Sequence, residues 1–203
     1  MPTQVQRTAS ARRRLIAATR DLVAAQGVGN TSVAAIGERA GMSRGAVNFH
    51  FGSKDDLLVA VSQEVTTDWA EKVFGEGTPT LDDVDELVET LLGVWLGELN
   101  ESPDRVRIVV MLLFEALGPS PHLHEHFVVL RRRVRDQIVA YLTERQAKNE
   151  VSKDVDPDGF ATLFLGVLLG VAVTHLADPE SSALDGSIQE ARATLLARLQ
   201  PTG

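Results

Sequence analysis

The sequence predicts an all-α protein with a small N-terminal helical domain and a larger C-terminal helical domain. Apolar side chains recur with the helical period in almost every segment of the 203 residues. No segment shows the sustained alternation of apolar and polar residues that is typical of a half-buried strand. Glycine and proline residues interrupt the helical pattern at intervals, most clearly from Gly75 to Pro79.

Several of the predicted helices carry a local start or stop signal. Gly27 fits the residue with positive φ that ends the first helix. Ser53 and Asp56 match a capping box at the start of the fourth helix, and Ser120 followed by Pro121 fits the start of the seventh. The predicted helices span about residues 10–26, 32–40, 44–50, 54–74, 81–99, 104–117, 121–148, 157–177 and 187–199.

Charge is distributed unevenly along the chain. The formal net charge is −8, but residues 1–54 carry eight basic and two acidic side chains and are net positive. Phosphate binding requires a local positive patch rather than a basic protein as a whole. The chain has no cysteine, which excludes disulfides, zinc fingers and a cysteine nucleophile. No secretory signal is apparent, and we expect a cytoplasmic protein.

Residues 31–54 match a helix-turn-helix, in which two short helices cross at a tight turn and the second enters the DNA major groove. Gly41 suits the turn because glycine adopts a positive φ at little cost. Ile36 and Ala40 lie on the apolar face of the first of these helices, and Val47 is placed to meet that face from the second. The first 54 residues are therefore predicted to form a three-helix helix-turn-helix domain.

The second of these helices supplies the candidate contacts to DNA bases. We expect Ser43 to cap it. Arg44 suits a guanine edge or a phosphate, Asn48 an adenine edge, and Phe49 a thymine methyl group or the sugar–phosphate wall. The alternative for each is an ordinary solvated side chain. The outward-facing candidates, two of them small enough for close approach to the groove, are Arg44, Gly45, Ala46, Asn48, Phe49 and His50.

Other candidates contact phosphate rather than bases. Lys54 lies in the first turn of the fourth helix, where an ammonium and the free N–H groups can hold the same phosphate oxygen. Thr31 and Ser32 at the start of the second helix can bind another phosphate. Residues 12–14 are three consecutive arginines, which we expect to form a basic arm along the DNA, or simply a solvated face.

Together these residues resemble the N-terminal DNA-binding domain of TetR-family transcriptional regulators. The turn, the following helix and the Gly-Ser-Lys start of the next helix occur at the family's spacing over residues 10–60. One departure is Asn48, where the family usually has tyrosine; here the aromatic residue follows at Phe49. In the family, the matching positions at the DNA surface are Thr31, Ser32, Arg44, Ala46, Asn48, Phe49, His50 and Lys54.

The resemblance implies an all-α homodimer with a DNA-binding domain at 1–54 and a ligand-binding and dimerisation domain at 55–203. The helix at about 54–74 connects the two. It also implies that the C-terminal domain binds a small molecule and pairs through its last two long helices. Binding of that molecule then changes the separation of the two DNA-binding helices and usually releases DNA.

The helix predicted at 157–177 is apolar on all sides. Its length is near the lower limit for a membrane span, but internal threonines, a histidine and flanking aspartates favour burial against protein. Gly166 and Gly170 permit close approach of another helix. An intrachain core is the alternative to a dimer interface. The interface candidates are Leu165, Gly166, Leu169, Gly170, Val173, Leu195 and Leu199.

Large apolar side chains in the C-terminal region are candidates for a ligand pocket, although such residues also serve as ordinary core. They are Trp69, Trp95, Met111, Phe114, Phe127 and Phe164. His122 and His126 share a helical face, with His124 between them. We expect these histidines to lie at the surface rather than to bind a metal.

The sequence therefore predicts a ligand-responsive transcriptional regulator that binds a double-stranded DNA operator as a homodimer. The expected effector is a small, largely apolar molecule that releases a repressor from its operator. The alternative is a DNA-binding factor without a ligand, followed by a metal-dependent enzyme. No recognisable catalytic motif is present, and no cofactor or membrane partner is expected.

Overall fold

The computed structural model describes residues 3–74, 83–180 and 183–201, and for residues 67–74 it describes the backbone only. Regular structure in these ranges is α-helical throughout, which confirms the predicted fold class. The helices are α1 Gln4–Gln26, α2 Val33–Arg39, α3 Ala46–Phe51, α4 Lys54–Phe74, α5 Val84–Glu101, α6 Pro103–Glu115, α7 Pro121–Ala147, α8 Pro157–Ala177 and α9 Leu184–Leu199.

The local signals placed most helix ends well. α4 and α8 have the predicted bounds, and Gly27 and Gly41 have φ angles of +80° and +62°. α1 begins earlier than predicted because Thr3 and Gln6 form a capping box at its start. The predicted beginning at about residue 10 was therefore too late by more than a turn.

The start of α3 differs from the prediction. The helix begins at Ala46, and Gly45 at its N-cap makes no side-chain bond. The Ala46 N–H group instead donates to the main-chain carbonyl of Ser43 at 3.0 Å. The predicted cap by Ser43 is wrong: its main-chain carbonyl, rather than its side-chain hydroxyl, accepts the hydrogen bond from the first N–H group of α3.

The chain divides into two compact units. The first comprises Met1–Thr67 with Arg107–Val128, and the second comprises Asp68–Val106 with Val129–Gly203. α4, α6 and α7 therefore contribute residues to both units. The predicted boundary between residues 54 and 55 separates the DNA-binding residues from the ligand-binding residues and is not a division into compact units. It stays a prediction.

In the first unit, the three N-terminal helices contact one another pairwise. Leu15 of α1, Ile36 of α2 and Val47 of α3 are completely buried, as the apolar pattern predicts. Burying such a side chain contributes about 1.5–3 kcal/mol. This shared core holds α2 and α3, which are too short to be stable alone.

In the second unit, α5 packs against α8 and α9. Phe164 of α8 and Leu195 of α9 are buried there. Two buried or half-buried aromatic residues also satisfy their polar atoms with main-chain carbonyls. The Trp95 indole donates to Leu168 at 2.9 Å, and the Tyr141 hydroxyl donates to Asp83 at 2.7 Å.

The predicted dimer residues separate into two groups. Leu195 and Leu199 are each only 2% exposed because the apolar stripe of α9 turns towards the rest of its own unit. They belong to the intrachain core, which corrects their prediction as interface residues. The α8 candidates remain accessible: Gly166 and Gly170 are exposed, and Leu165, Leu169 and Val173 are half-buried.

α8 has the length and composition of a membrane span, and it is the one such helix in the described ranges. This is weak evidence, because helices of soluble proteins pass the same criteria. Less than a third of its most apolar window is buried within the chain. The helix therefore presents an apolar face that the described residues of one chain leave largely uncovered.

The predicted pocket residues have different environments. Phe127 and Phe164 are buried, Trp95 and Met111 are half-buried, and Phe114 is 53% exposed. The side chain of Trp69 lies outside the described residues. Met111, Phe114 and Phe127 belong to the first unit, whereas Trp95 and Phe164 belong to the second. A pocket that joins these side chains stays a prediction.

A shallow cleft lies between α8 and α9. Its volume is about 180 Å³. It does not contain the predicted pocket residues. Its walls are formed by Gly170, Val171, Thr174, His175, Leu184 and Ser187.

Candidate nucleic-acid interface

α3 and the two residues before it present a group of accessible residues of the types that contact DNA. Arg44, Gly45 and Asn48 are exposed, and Phe49 is 83% exposed, the largest value among the large apolar side chains of the described residues. His50 is half-buried, and its ring meets that of Phe49 edge to face with 4.9 Å between centroids. We call this group, Arg44, Gly45, Asn48, Phe49 and His50, the α3 surface.

Ala46 does not belong to the α3 surface. It is 7% exposed and lies beside the completely buried Val47. The two residues form the inner side of α3, so the expectation that Ala46 faces outward is wrong. Ala46 instead contributes to the packing that holds the helix.

The start of α2 provides one accessible hydroxyl rather than two. Thr31 is completely buried, and its hydroxyl donates to the Gly27 carbonyl at 2.8 Å. The predicted phosphate contact of the Thr31 side chain is therefore wrong, because its hydroxyl is buried and bound to a main-chain carbonyl of the loop before α2. Ser32 is exposed, and its Oγ accepts from the Ala35 N–H group at 3.1 Å as the N-cap.

The start of α4 has the capping arrangement that the sequence predicts. The Asp56 N–H group donates to Ser53 Oγ at 3.0 Å, and the Ser53 hydroxyl donates to the Asp56 carboxylate at 2.5 Å. The Lys54 ammonium donates to the Val28 carbonyl at 2.8 Å. An ammonium has three N–H donors. The bond to Val28 holds the Lys54 side chain in position and uses only one of them. Its predicted phosphate contact stays a prediction.

The arginines at positions 12–14 do not form an arm, because they lie within α1. Arg12 donates to the His50 carbonyl, and Arg14 donates to the Ala40 carbonyl. Sequence reasoning missed these contacts. The signal that could have indicated them is general: the last carbonyls of α2 and α3 need donors from outside their own helices.

The three histidines of α7 have three separate partners. His122 Nδ1 lies 2.8 Å from the Asp56 carboxylate, His124 Nδ1 lies 3.1 Å from the Ala116 carbonyl, and His126 Nε2 lies 2.9 Å from the Ser62 hydroxyl. No group of three metal-ligating side chains occurs among the described residues. The three histidines therefore act singly rather than as a cluster.

The contact between His122 and Asp56 changes the pKa of both groups. The hydrogen bond to Asp56 raises the pKa of His122. The pKa of Asp56 is lowered, first by its hydrogen bond with Ser53 and then by that with His122. The main-chain N–H group of His122 also donates to the Asp55 carboxylate at 3.0 Å. The first turns of α4 and α7 are thus joined by polar contacts.

The helix-turn-helix region and the chain as a whole are similar to known regulators. Residues 15–61 match the family model described as bacterial regulatory proteins, tetR family. The chain is 28% identical to the HTH-type transcriptional repressor AcnR of Corynebacterium jeikeium over 158 residues, 77% of each chain. It is 25% identical to the HTH-type transcriptional regulator SrpR of Pseudomonas putida over 172 residues, 85% of this chain and 78% of SrpR.

Among solved structures, the fold is similar to that of SmeT, the repressor of a multidrug efflux pump of Stenotrophomonas maltophilia. The TM-score is 0.72 and the identity 25%, covering 95% of this chain and 91% of SmeT. These relatives are transcriptional regulators rather than enzymes, in agreement with the prediction. The helix-turn-helix of residues 15–61 is therefore that of the tetR family of bacterial regulatory proteins, and the chain as a whole is similar in sequence and fold to transcriptional regulators.

Proposed function

We propose that the protein is a cytoplasmic, homodimeric repressor that leaves its operator when a small, largely apolar molecule binds. The observation that carries the DNA-binding part is the α3 surface. An 83%-exposed phenylalanine lies there between an exposed asparagine and a half-buried histidine on a helix whose inner side is buried. Exposing a large apolar ring costs solvation free energy, which contact with a DNA groove would recover.

Each residue of the α3 surface suits a different part of the duplex. Arg44 can bind a guanine edge or a phosphate, Asn48 can bind an adenine edge, and Phe49 can pack on a thymine methyl group. Gly45 permits close approach, and His50 suits a phosphate. Ser32 and Lys54, each at the first turn of a helix, can hold the phosphates that fix the orientation of the domain.

The proposed dimer pairs the exposed face of α8 with that of a second copy. Gly166 and Gly170 of α8 are exposed and four residues apart, and in the described residues no atom outside the neighbouring backbone of α8 lies within 4 Å of the position that a Cβ atom would take at either one. Backbones can therefore approach closely there. A two-fold axis through this face would bring two copies of the same patch together and cover the apolar surface.

The proposed effector class rests on the second unit and on a relative. Phe160 and Phe164 stack in the core with 6.5 Å between ring centroids, and Trp95 is half-buried. A molecule that replaces part of such a core must be largely apolar. A structure of SmeT in complex with triclosan matches this fold with a TM-score of 0.76 and 24% identity.

The DNA-binding proposal can be tested with an operator selected from a random duplex library by the purified protein. The dissociation constant is then measured by fluorescence anisotropy. Arg44→Gln and Asn48→Ala should each weaken binding to the selected operator by about tenfold or more. Arg133→Gln, which removes an exposed arginine of α7, is the control and should bind normally. Failure of the wild-type protein to enrich any sequence would refute the proposal.

The effector proposal needs a separate test. A panel of small apolar compounds that includes triclosan is screened by thermal denaturation, since a ligand that binds the folded state raises the melting temperature. Compounds that raise it should also release the operator. Operator release by none of the compounds would favour a DNA-binding factor without a ligand.

A further inference from the structure

Two arginines of α1 end on main-chain oxygens of the helix-turn-helix. The Arg12 guanidinium donates to the His50 carbonyl in the last turn of α3, and it lies over the Phe51 ring at 4.0 Å from the centroid. The Arg14 guanidinium donates to the carbonyl of Ala40 at the C-cap of α2, and more weakly to that of Gly41 at 3.3 Å.

These carbonyls lie at the positions where a helix lacks internal donors. The last four carbonyls of any helix have no partner within it, and a cation there also interacts favourably with the helix dipole. α2 has seven residues and α3 six, so terminal groups form a large share of each. Two cations from one neighbouring helix therefore supply donors to both halves of the motif.

The surrounding residues leave room for this arrangement. A Cβ atom at position 41 would lie 2.8 Å from Arg14 Nη2, so glycine gives space to the guanidinium as well as the positive φ of the turn. Phe51 offers a flat ring face to Arg12, a geometry that suits a planar guanidinium better than an ammonium.

Arg13, between the two, behaves differently. It is exposed, and no hydrogen bond or ion pair joins it to another described residue. Successive helical residues point about 100° apart, so three neighbouring arginines cannot share one target. The run at 12–14 thus contains two arginines bound to the motif and one directed to solvent.

We propose that Arg12 and Arg14 are positioning residues for operator recognition: Arg12 holds the last turn of α3 against α1, Arg14 holds the end of α2 and the following turn against α1, and neither contacts DNA. The inference rests on the proposed function of the α3 surface. If α3 tilts, its side chains miss the base edges, whereas contacts to the phosphate backbone tolerate a small rotation. Arg12 and Arg14 should therefore govern sequence discrimination more than general affinity for DNA.

The test compares Arg12→Gln and Arg14→Gln with Arg13→Gln as the matched control. Dissociation constants are measured for the selected operator and for a scrambled duplex over a series of salt concentrations, using the titrated concentration of active protein. Arg12→Gln and Arg14→Gln should weaken operator binding by about tenfold and leave scrambled-duplex binding within about twofold. The slope of log affinity against log salt should stay unchanged, since no phosphate contact is lost. Arg13→Gln should keep the wild-type ratio of the two affinities.

Arg12→Lys provides a second variant if glutamine prevents folding. Lysine keeps a donor for the His50 carbonyl but loses the planar stacking on Phe51, so discrimination should fall between wild type and glutamine. A direct phosphate contact would instead weaken binding to both duplexes and reduce the salt slope by about one. That result, or an unchanged ratio of affinities in the glutamine variants, would overturn the inference. If the wild-type protein bound no operator, the proposed function itself would fail.

Discussion

At the residue scale, Gly37 illustrates a requirement that lies outside its own helix. A Cβ atom at this position of α2 would lie 2.9 Å from the main-chain oxygen of Ser43. That oxygen also accepts from the Ala46 N–H group at the start of α3. The glycine therefore allows the two parts of the helix-turn-helix to approach at their crossing.

We expect Gly37→Ala to destabilise the protein by about 1–3 kcal/mol, because the contact is with backbone that cannot rotate away. The measurement is the midpoint of urea denaturation. Gly29→Ala is the control: nothing lies within 4 Å of its Cβ position, and its φ is not positive. The control should change the midpoint little or raise it slightly. Equal effects of the two substitutions would contradict the crossing argument.

His122 makes stability depend on pH. Its pKa is raised in the folded state by the hydrogen bond to Asp56, so protonated His122 stabilises the fold. This contribution is fully present below the unfolded pKa of about 6.5 and is lost as the pH rises through the raised value. The difference in melting temperature between wild type and His122→Ala should therefore shrink as the pH rises above about 6.5 and through the raised pKa of His122.

The partner residue supplies the control for this prediction. In a protein that already carries Asp56→Asn, the effect of the further substitution His122→Ala on the melting temperature should depend much less on pH, because only the weaker attraction of Asp55 and Glu125 then raises the pKa of His122. A difference that stays constant with pH in the wild-type background would show that the carboxylate does not shift His122.

At the element scale, the predictions succeeded where the signal is local. The start of α4 follows from a serine cap, and the start of α8 follows from an aspartate cap and a proline in its first turn. They failed where two elements compete for the same residues. α3 starts at Ala46 because the turn after α2 uses the Ser43 carbonyl. Such competition depends on how the helices cross, which a propensity pattern does not contain.

α8 carries the element-scale prediction. Gly166→Arg places a bulky cation on its exposed face, where in the described residues no atom outside the neighbouring backbone of α8 lies within 4 Å of the Cβ position. The fold of one chain should tolerate the change, since arginine favours helix more than glycine does. If the proposed dimer forms through this face, light scattering should show dimers for the wild type and monomers for Gly166→Arg, with cooperative thermal unfolding retained.

Gly93→Arg on α5 is the matched control, because this glycine is also exposed and has an open Cβ position. It should remain dimeric. Leu195→Asp should unfold the chain, since it puts a charge into the intrachain core. A dimeric Gly166→Arg protein would locate the subunit contact elsewhere.

At the scale of the whole molecule, net charge and symmetry act together. The net positive charge of residues 1–54 favours DNA binding by this part of the protein. The net negative charge of residues 55–203 disfavours nonspecific DNA binding by the rest of it. A two-fold symmetric dimer presents two copies of the α3 surface. Its operator should contain two half-sites in inverted orientation, spaced to match the two copies.

Insertion of five base pairs between the half-sites rotates one of them by about half a helical turn relative to the other. The affinity should then fall to that of a duplex with a single half-site, because the dimer can no longer engage both. Fluorescence anisotropy with the altered duplex measures this loss. The control duplex has the same five base pairs inserted outside the operator. Equal affinity for both duplexes would contradict simultaneous binding by two copies.

The sequence by itself determined the helical class, the helix-turn-helix and most of the outward residues of α3. Periodicity, glycine turns and caps act over a few neighbouring residues, so they are visible in the chain order. The tertiary structure decided which side chains are buried in the core or hydrogen-bonded within the protein. It turned Thr31 and Ala46 inward, directed Leu195 and Leu199 into the core, and bound Arg12 to the end of α3. The physical reason is that burial and hydrogen-bond partners depend on which helix faces meet, and residues distant in sequence set those faces.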